Sequence, residues 1–511
     1  MPLARTRSVI VIGVAGQLVE VEADISPGLP AMAIVGLADT AVAEARDRAR
    51  AAVVNSGEDW PNRRITVGLS PASLHKHGSA LDLAIAIAVL GAAGKIPIDA
   101  LADLVVVGEL GLDGRVRPVR GALAMALAAR DVGCAIVVPA SNYQEAALVP
   151  DLVVHAVANL AGLVGLLRGE ILTGAPDTTP TLTPSEAGSV PDLSDVRGQV
   201  AARFGLELAA AGGHHISMLG PPGIGKTLLA ERLPGILPAL SGEAAVEVTA
   251  VHSIAGRLAE GQGLISRAPF IAPHHTASVA AVVGGGSGLP KLGLVSLAHH
   301  GVLFLDEAPE FAQSVLDALR LPLESGEIVV SRSGFNVRLP ARFQLVLAAN
   351  PCPCGLAGSM VAICQCSSLQ RRRYLARLSG PLLDRIDVRL QLAAPTLAEL
   401  RGIEGTVESS SVVAARVALA RHRSERRLQG LPWRTNAEVP TTELRKRWPL
   451  PADVVASAEE AFETGHGSAR GLDRVVRLAW TVADLAGHQS PTALDVETAL
   501  LQRTGRGRWA A

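Results

Sequence analysis

Aromatic residues are scarce. Two tyrosines, seven phenylalanines and five tryptophans make up 3% of the 511 residues. A surface of stacked rings is therefore a poor basis for holding unpaired bases. Net charge is nearly absent too, with 47 Lys+Arg against 48 Asp+Glu giving −1. Any nucleic-acid contact must come from local basic patches and not from a global field. Long apolar runs are missing: Leu83 to Gly94 follows Asp82 and falls short of the roughly 18 residues that span a bilayer. Cysteine is rare, and four of the five cysteines lie between 352 and 366. That clustering suits a metal site in a reducing cytosol better than a scattered disulfide framework. Arg5 and Arg7 before Val9–Val14 have the outline of a signal peptide, but the segment runs on into the alternating Leu18–Glu22 without a cleavage site. A β-strand is the better reading, and a cytoplasmic protein with no membrane partner is expected.

What is present is enough apolar sequence for large cores: 49% hydrophobic and 19% charged residues exclude global disorder. At about 100–200 residues per domain the length allows roughly three domains. Residues 1–170 alternate β-branched runs (Val9–Val14, Met32–Val35, Arg64–Val67, Leu104–Val107, Ala135–Val138) with helical patterns. Thr40 is expected to cap a helix ending near Asn55-Ser-Gly57. Residues 171–191 are rich in Pro, Thr and Gly without apolar period and read as a linker. A second α/β domain follows over 192–395, and 396–511 is Arg-rich and helical in pattern.

Gly220-Pro221-Pro222-Gly223-Ile224-Gly225-Lys226-Thr227 matches the phosphate-binding loop pattern, between a strand-like Ile216–Leu219 and a helical Leu228–Arg232. Glycines let backbone N–H groups approach phosphates, and the helix N-terminus adds partial positive charge. Lys226 would reach the β- and γ-phosphates of ATP and Thr227 would ligate Mg²⁺. Gly301–Leu305 is a continuous apolar run, as a buried parallel strand requires, and ends in Asp306-Glu307. Asp306 can hold the Mg²⁺ shell and Glu307 can polarise the attacking water. A third strand, Gln344–Ala349, ends in Asn350, which either orients that water or simply forms a turn before Pro351. Cys352-Pro-Cys354 and Cys364-Gln-Cys366 supply four thiolates for a tetrahedral Zn²⁺. Structural zinc is preferred over four buried or redox-active thiols. His274-His275 and His299-His300 lack the carboxylate spacing of a catalytic metal, and packing or pore-loop roles suit them better.

The phosphate loop, Asp306-Glu307 and Asn350 resemble Walker A, Walker B and sensor 1 of an AAA+ ATPase. Further words narrow the likeness: Asp195-Val-Arg-Gly-Gln199, Ala272-Pro-His-His-Thr276, Ser296-Leu-Ala-His-His-Gly-Val302, Asn350-Pro-Cys-Pro-Cys-Gly355 and Ser379-Gly-Pro-Leu-Leu-Asp-Arg-Ile-Asp387. Together they resemble the Mg-chelatase-like ATPases of the ComM (YifB) type over nearly the whole chain. The resemblance implies an α/β protein: an N-terminal Lon-protease-like α/β domain, a P-loop AAA+ core with a parallel sheet, and a C-terminal helical lid. It implies that Arg385 is an arginine finger acting on a neighbouring subunit, hence a homo-oligomeric, hexameric ring. It also implies that Arg470 is sensor 2, against a plain helix-face pair with Arg474. Segments 283–290 and 325–339 would be pore insertions, the second a hairpin about Ser333-Gly334, with Arg332 and Arg338 facing substrate phosphates or merely solvent. In the Lon-like domain the nucleophile position falls at Ala80 and the lysine position at Met125, so proteolysis is not expected. A shifted pair drawn from Ser79, Lys76 and Lys95 is the alternative.

Basic clusters at Arg371–Arg373 with Arg377, at Arg421, Arg423, Arg426 and Arg427, at Arg445–Arg447, and at Arg503, Arg506 and Arg508 would line a ring's channel and hold DNA phosphates. No sequence-reading motif accompanies them, so backbone-directed binding of branched or single-stranded DNA is expected. The function expected is an ATP-dependent DNA-remodelling motor of ComM type, driving branch migration or strand separation. The alternative is a chelatase-type motor acting on a metal-insertion or other protein partner.

Overall fold

The computed structural model describes residues 3–37, 39–170, 191–259, 261–286, 290–332, 335–357, 363–394, 396–400, 407–463 and 469–504. Residues 171–190 of the expected linker 171–191, the hairpin tip at 333–334, and Arg506 and Arg508 lie outside them. Two compact units emerge. One comprises residues 1–187 with 245–265, the other 188–244 with 266–511. Residues 245–265, which the sequence reading kept within 192–395, thus pack with the first unit, and the C-terminal helices cluster with the ATPase-like sheet.

The first unit is built on a mixed seven-stranded sheet. Its strands are β1 (Leu3–Ile12), β2 (Ala15–Ser26), β3 (Ala31–Val35), β4 (Arg64–Ser70) and β5 (Leu104–Val106), then, beyond the small ribbon β6 (Glu109–Leu110) and β7 (Val116–Arg117), β8 (Ala135–Pro139) and β9 (Val154–Val157). The order is β3-β4-β2-β1-β5-β8-β9. In β1 the residues alternate, so Ala4, Thr6 and Ser8 are buried while Arg5 and Arg7 face the other way. Arg5 pairs with Glu22 at 2.7 Å across β2, and Arg7 reaches Cys134 Sγ at 2.9 Å. The two arginines that hinted at a leader are therefore strand residues. The helix Thr40–Asn55 is capped by Asp39, whose carboxylate accepts from Val42 N at 2.8 Å, not by Thr40. The apolar run after Asp82 forms the helix Asp82–Ala92, buried along its whole length. Among the described residues no helix is long and apolar enough to cross a membrane.

The second unit holds a five-stranded parallel sheet: β10 (Ile216–Leu219), β11 (Phe270–Ile271), and, after the ribbon β12 (Gly284–Gly285) and β13 (Lys291–Leu292), β14 (Gly301–Leu305). The hairpin β15 (Glu327–Arg332) and β16 (Phe335–Pro340) precedes β17 (Phe343–Ala349) and β18 (Val388–Gln391). The sheet order is β11-β14-β17-β10-β18. β14 and β17 are buried at every position, as central strands covered on both faces must be. Each such Val, Leu or Phe contributes about 1.5–3 kcal/mol of apolar burial. The helices Ser410–Leu428, Ala469–Ala486 and Ala493–Thr504 pack onto this core through Val417, Leu478, Ala479 and Val496. Arg332↔Phe335 closes the expected hairpin, and Arg338 is paired with Glu327 at 2.9 Å on the neighbouring strand.

Candidate functional site

Register brings the site together. Parallel pairing aligns Leu219 with Ala349 and Leu305 with Leu347. The residues that follow these strands, Gly220, Asn350 and Asp306-Glu307, therefore emerge side by side at the carboxyl ends, where open α/β sheets bind ligands. Gly223 and Gly225 take φ of +78° and +94°, backbone conformations that side chains resist. The helix Lys226–Ile236 starts directly behind them. Gln199, itself at φ +53°, donates to Ala393 O at 2.7 Å and Ile224 O at 3.4 Å. Asp195 pairs with Arg232 of the loop's helix at 2.8 Å. The word Asp195–Gln199 thus clamps the phosphate loop from behind.

Lys226 is nearly buried, and its ammonium donates to Gly220 O (2.7 Å), Pro221 O (2.8 Å) and Asn350 Oδ1 (2.9 Å). Burial lowers its pKa, while the Asp306 and Glu307 charges oppose that shift. Thr227 donates to Asp306 Oδ2 at 2.8 Å. A hydroxyl and a carboxylate at that spacing are hard oxygen donors of the kind Mg²⁺ prefers, and backbone N–H groups at a helix N-terminus suit a triphosphate. These residues fit Mg²⁺ and ATP. Glu307 is half-exposed, takes φ of +49°, and lies 3.7 Å from His275 Nδ1. A non-glycine residue in the left-handed region is strained, and such strain gathers at functional sites. His275 comes from the segment after β11, which accounts for the word Ala272–Thr276. His274 packs against it with ring centroids 4.2 Å apart and planes tilted by 32°, and bonds Thr276 Oγ1 at 2.8 Å.

Arg385 follows the short helix Gly380–Leu383. One guanidinium nitrogen donates to Pro381 O at 2.6 Å, another is paired with Glu324, and Nε is buried without a partner. Below it lies a buried network that sequence reasoning missed. Arg474 is ion-paired with Asp387 and donates to Arg385 O at 3.3 Å. His214 links Asp387 (2.9 Å, Nδ1) to Thr481 Oγ1 (2.7 Å, Nε2). Burial pushes the Asp387 carboxyl up, but Arg474 and His214 prevail and hold it well below the usual carboxylate range. The available signal was Arg474 itself, one turn after Arg470 on the same helix. Arg470 stands exposed near the start of the helix Ala469–Ala486.

The four cysteines come together. Sγ–Sγ separations are 3.3 Å (352–354), 3.7 Å (352–364) and 3.6 Å (354–364), and all four lie within 4.8 Å of one another. Those values are close to the edge, about 3.8 Å, of a tetrahedron with Zn–S of about 2.3 Å, and far from a disulfide bond. The cluster therefore fits a four-thiolate metal.

Several expected sites dissolve into structure. Ser79 donates to Glu109, Lys76 is fully buried on Pro71 O, and Lys95 pairs with Asp59 at 2.9 Å, so no Ser–Lys pair is assembled among these. Ala80 and Met125 stay as apolar packing. Most arginines of the C-terminal clusters are spent internally. Arg421 donates to Ala210 O, and Arg427 pairs with Asp484 at 2.5 Å and lies 4.5 Å over Trp480. Arg423 bonds the Asp484 carbonyl, Arg445 pairs with Asp473, Arg447 pairs with Glu443 at 2.7 Å, and Arg503 is buried. Arg377 reaches Pro309 O and Glu310. Arg371, Arg372 and Arg373 remain exposed on the helix Ser368–Leu375, and Arg426 is exposed on its own helix.

Comparison with known proteins matches this arrangement. A family model described as magnesium chelatase, subunit ChlI, covers residues 192–400, and its C-terminal counterpart covers 407–503. A third, subunit ChlI of Mg-chelatase, covers 21–142. An uncharacterized protein of Mycobacterium tuberculosis is 51% identical over 510 residues, 99% of this chain and 100% of the relative. Uncharacterized protein YifB of Escherichia coli is 41% identical over 95% of this chain and 94% of its own. Competence protein ComM of Haemophilus influenzae is 39% identical over 96% and 95%. The chain belongs to the YifB/ComM type of Mg-chelatase-like AAA+ ATPases. The 38 kDa magnesium-chelatase subunit of Rhodobacter capsulatus is 42% identical, but over only 59 residues, 12% of this chain. For this YifB/ComM-type chain the family accounts for the mixed N-terminal sheet, the five-stranded parallel sheet and the helical C-terminal region together.

Proposed function

We propose that this protein is an ATP-hydrolysing, ring-forming motor that remodels DNA, driving branch migration or strand separation. The observation that carries the reading is the convergence of Lys226, Thr227, Asp306, Glu307 and Asn350 at the ends of β10, β14 and β17. In this reading Lys226 and the loop N–H groups hold the phosphates, and Thr227 and Asp306 hold the Mg²⁺. When bound, Mg²⁺ neutralises charge on the phosphate oxygens. Glu307 takes the proton of the attacking water, and Asn350 orients both that water and Lys226. Arg385 serves a neighbouring protomer. Within one chain it is parked on Glu324, and ring closure exchanges that partner for a phosphate. Arg470 on the lid helix senses the same nucleotide. The cysteine quartet holds a structural Zn²⁺.

DNA enters through the exposed Arg371–Arg373 run, which supplies a backbone-directed positive patch. A relative named as a competence protein adds weight to nucleic acid as substrate. The test is ATPase activity of the purified protein with and without four-way or forked DNA, together with ATP-dependent movement of a four-way junction. Stimulation and movement support the motor. Stimulation only by a chelatase-type protein partner would transfer the reading to that alternative.

A further inference from the structure

The cysteine cluster lies against the phosphate loop, and this has a consequence for nucleotide binding. Only Pro351 separates Asn350, the acceptor of the Lys226 ammonium, from the buried Cys352. Gly355 N donates to Cys352 O at 2.9 Å, which turns the loop, and Ala357 N lies 3.4 Å from Cys352 Sγ, a backbone donor placed on this sulfur as on a metal-bound thiolate. Gly355 takes φ of +75°, and a Cβ there would sit 2.7 Å from Cδ and 3.0 Å from Cγ of Pro222. The cysteine loop therefore rests directly on the phosphate loop with no room for a methyl group. Its second half leads into the helix Ser368–Leu375, fixed by a capping box between Ser367 and Gln370. The Asn350 backbone N–H in turn donates to the Tyr374 hydroxyl of that helix.

Among the described residues of the loop, Cys354 is exposed and Ile363 is 90% exposed, so these side chains add no apolar core. A cross-link through four thiolates is the kind of tie that orders such a segment.

Resting on the nucleotide-site reading above, we propose that zinc bound by Cys352, Cys354, Cys364 and Cys366 sets the affinity of the neighbouring phosphate loop for nucleotide, by pressing Gly355 onto Pro222 and fixing Asn350 beside Lys226. The metal would thus be a determinant of nucleotide binding and not only a staple of its own loop.

The experiment uses the full chain, purified reduced and loaded with zinc. Zinc content is measured by elemental analysis, and binding of a fluorescent non-hydrolysable ATP analogue is measured with Mg²⁺. The protein is then stripped with a thiol-modifying reagent that can be reversed plus chelator, the chelator is removed, Mg²⁺ is restored, and binding is measured again before and after zinc reloading. About one zinc per chain, a loss of about tenfold in analogue affinity on stripping, and recovery on reloading are expected. Gly355→Ala keeps all four thiols and is expected to retain zinc while losing affinity, through both the contact with Pro222 and the strain of a side chain at positive φ. Far-UV circular dichroism checks that each form stays folded. Loaded protein that binds no zinc overturns the proposal at the metal. Zinc that can be removed without changing analogue affinity, or Gly355→Ala binding like wild type, overturns the coupling. Zinc-loaded protein that binds no analogue overturns the nucleotide reading beneath it.

Discussion

Asp387→Asn tests whether the network beneath Arg385 does what its geometry implies. Asp387 is 2% exposed and receives two donors, Arg474 Nη1 and His214 Nδ1. Thr481 Oγ1 lies 2.7 Å from His214 Nε2, so the hydroxyl can donate there and leave the ring proton on Nδ1 for Asp387. An asparagine offers one acceptor oxygen where two are needed, and its NH₂ would face a donor. Breaking a buried ion pair from one side costs about 3–5 kcal/mol. The Arg474 side chain keeps 20% exposure and can turn toward water, which places the loss near the lower bound, about 3 kcal/mol. That corresponds to roughly a hundredfold faster exchange of the most protected amides. The assay is native-state hydrogen exchange at pH 7.5 of peptides from β10, β17 and β18, with the helix Asp82–Ala92 of the other unit as internal reference. Unchanged protection in β10 and β18, or an equal loss in Asp82–Ala92, would refute the reasoning. The pH dependence has a definite sign. Because the carboxyl is held well below its unfolded value, its contribution is complete above about pH 4 and is lost as pH falls through the depressed folded pKa. His214 acts higher on the scale: burial lowers its pKa, so stability declines as pH falls from about 6.5 toward the folded value, by at most about 1.4 kcal/mol per pH unit.

Glu307→Gln is expected to bind the ATP analogue as wild type does while turnover falls by about a hundredfold or more; wild-type turnover would remove the water-activating role. Arg385→Ala should lower ATPase activity by about a thousandfold and leave analogue binding intact, and mixing it with a Lys226→Ala protein should restore part of the activity only if the arginine serves a neighbouring subunit. Replacing Arg371, Arg372 and Arg373 together by Ala should flatten the salt dependence of DNA binding by a slope of about 3 if each contacts a phosphate; an unchanged slope would place DNA elsewhere.

How much of this could be read without coordinates depends on the range of the interaction. The phosphate loop, Asp306-Glu307 and Asn350 were legible because strand, turn and helix chemistry is local: an apolar run of five residues ending in acids already names a buried strand and its tip. The cysteine quartet was legible as a set, since its members lie within fifteen residues, but not its contact with Pro222, which follows from strand order. The arginine clusters misled for the opposite reason. A run such as Arg421–Arg427 looks solvated on a helix, yet its partners Ala210, Asp484 and Trp480 lie far away in sequence. Charge alone cannot show which arginines are paired. Asp39 displaced Thr40 as the helix cap because either side chain can cap, and only the backbone decides which of them stands outside the first turn.

The same point bears on mechanism. Arg385, Asp387 and Arg474 belong to two sequence words nearly ninety residues apart, yet one guanidinium binds both the carbonyl of Arg385 and the carboxylate of Asp387. The helix that carries Arg470 is the helix that carries Arg474 and Thr481. A rotation of this helix in response to nucleotide at Arg470 would therefore be carried to the backbone of Arg385 without passing through the sheet. If that linkage operates, Arg474→Lys, which keeps the charge but removes the guanidinium Nη1 that reaches both acceptors, should lower ATPase activity more than it lowers analogue binding. Equal losses in both would mean that the network only stabilises the fold.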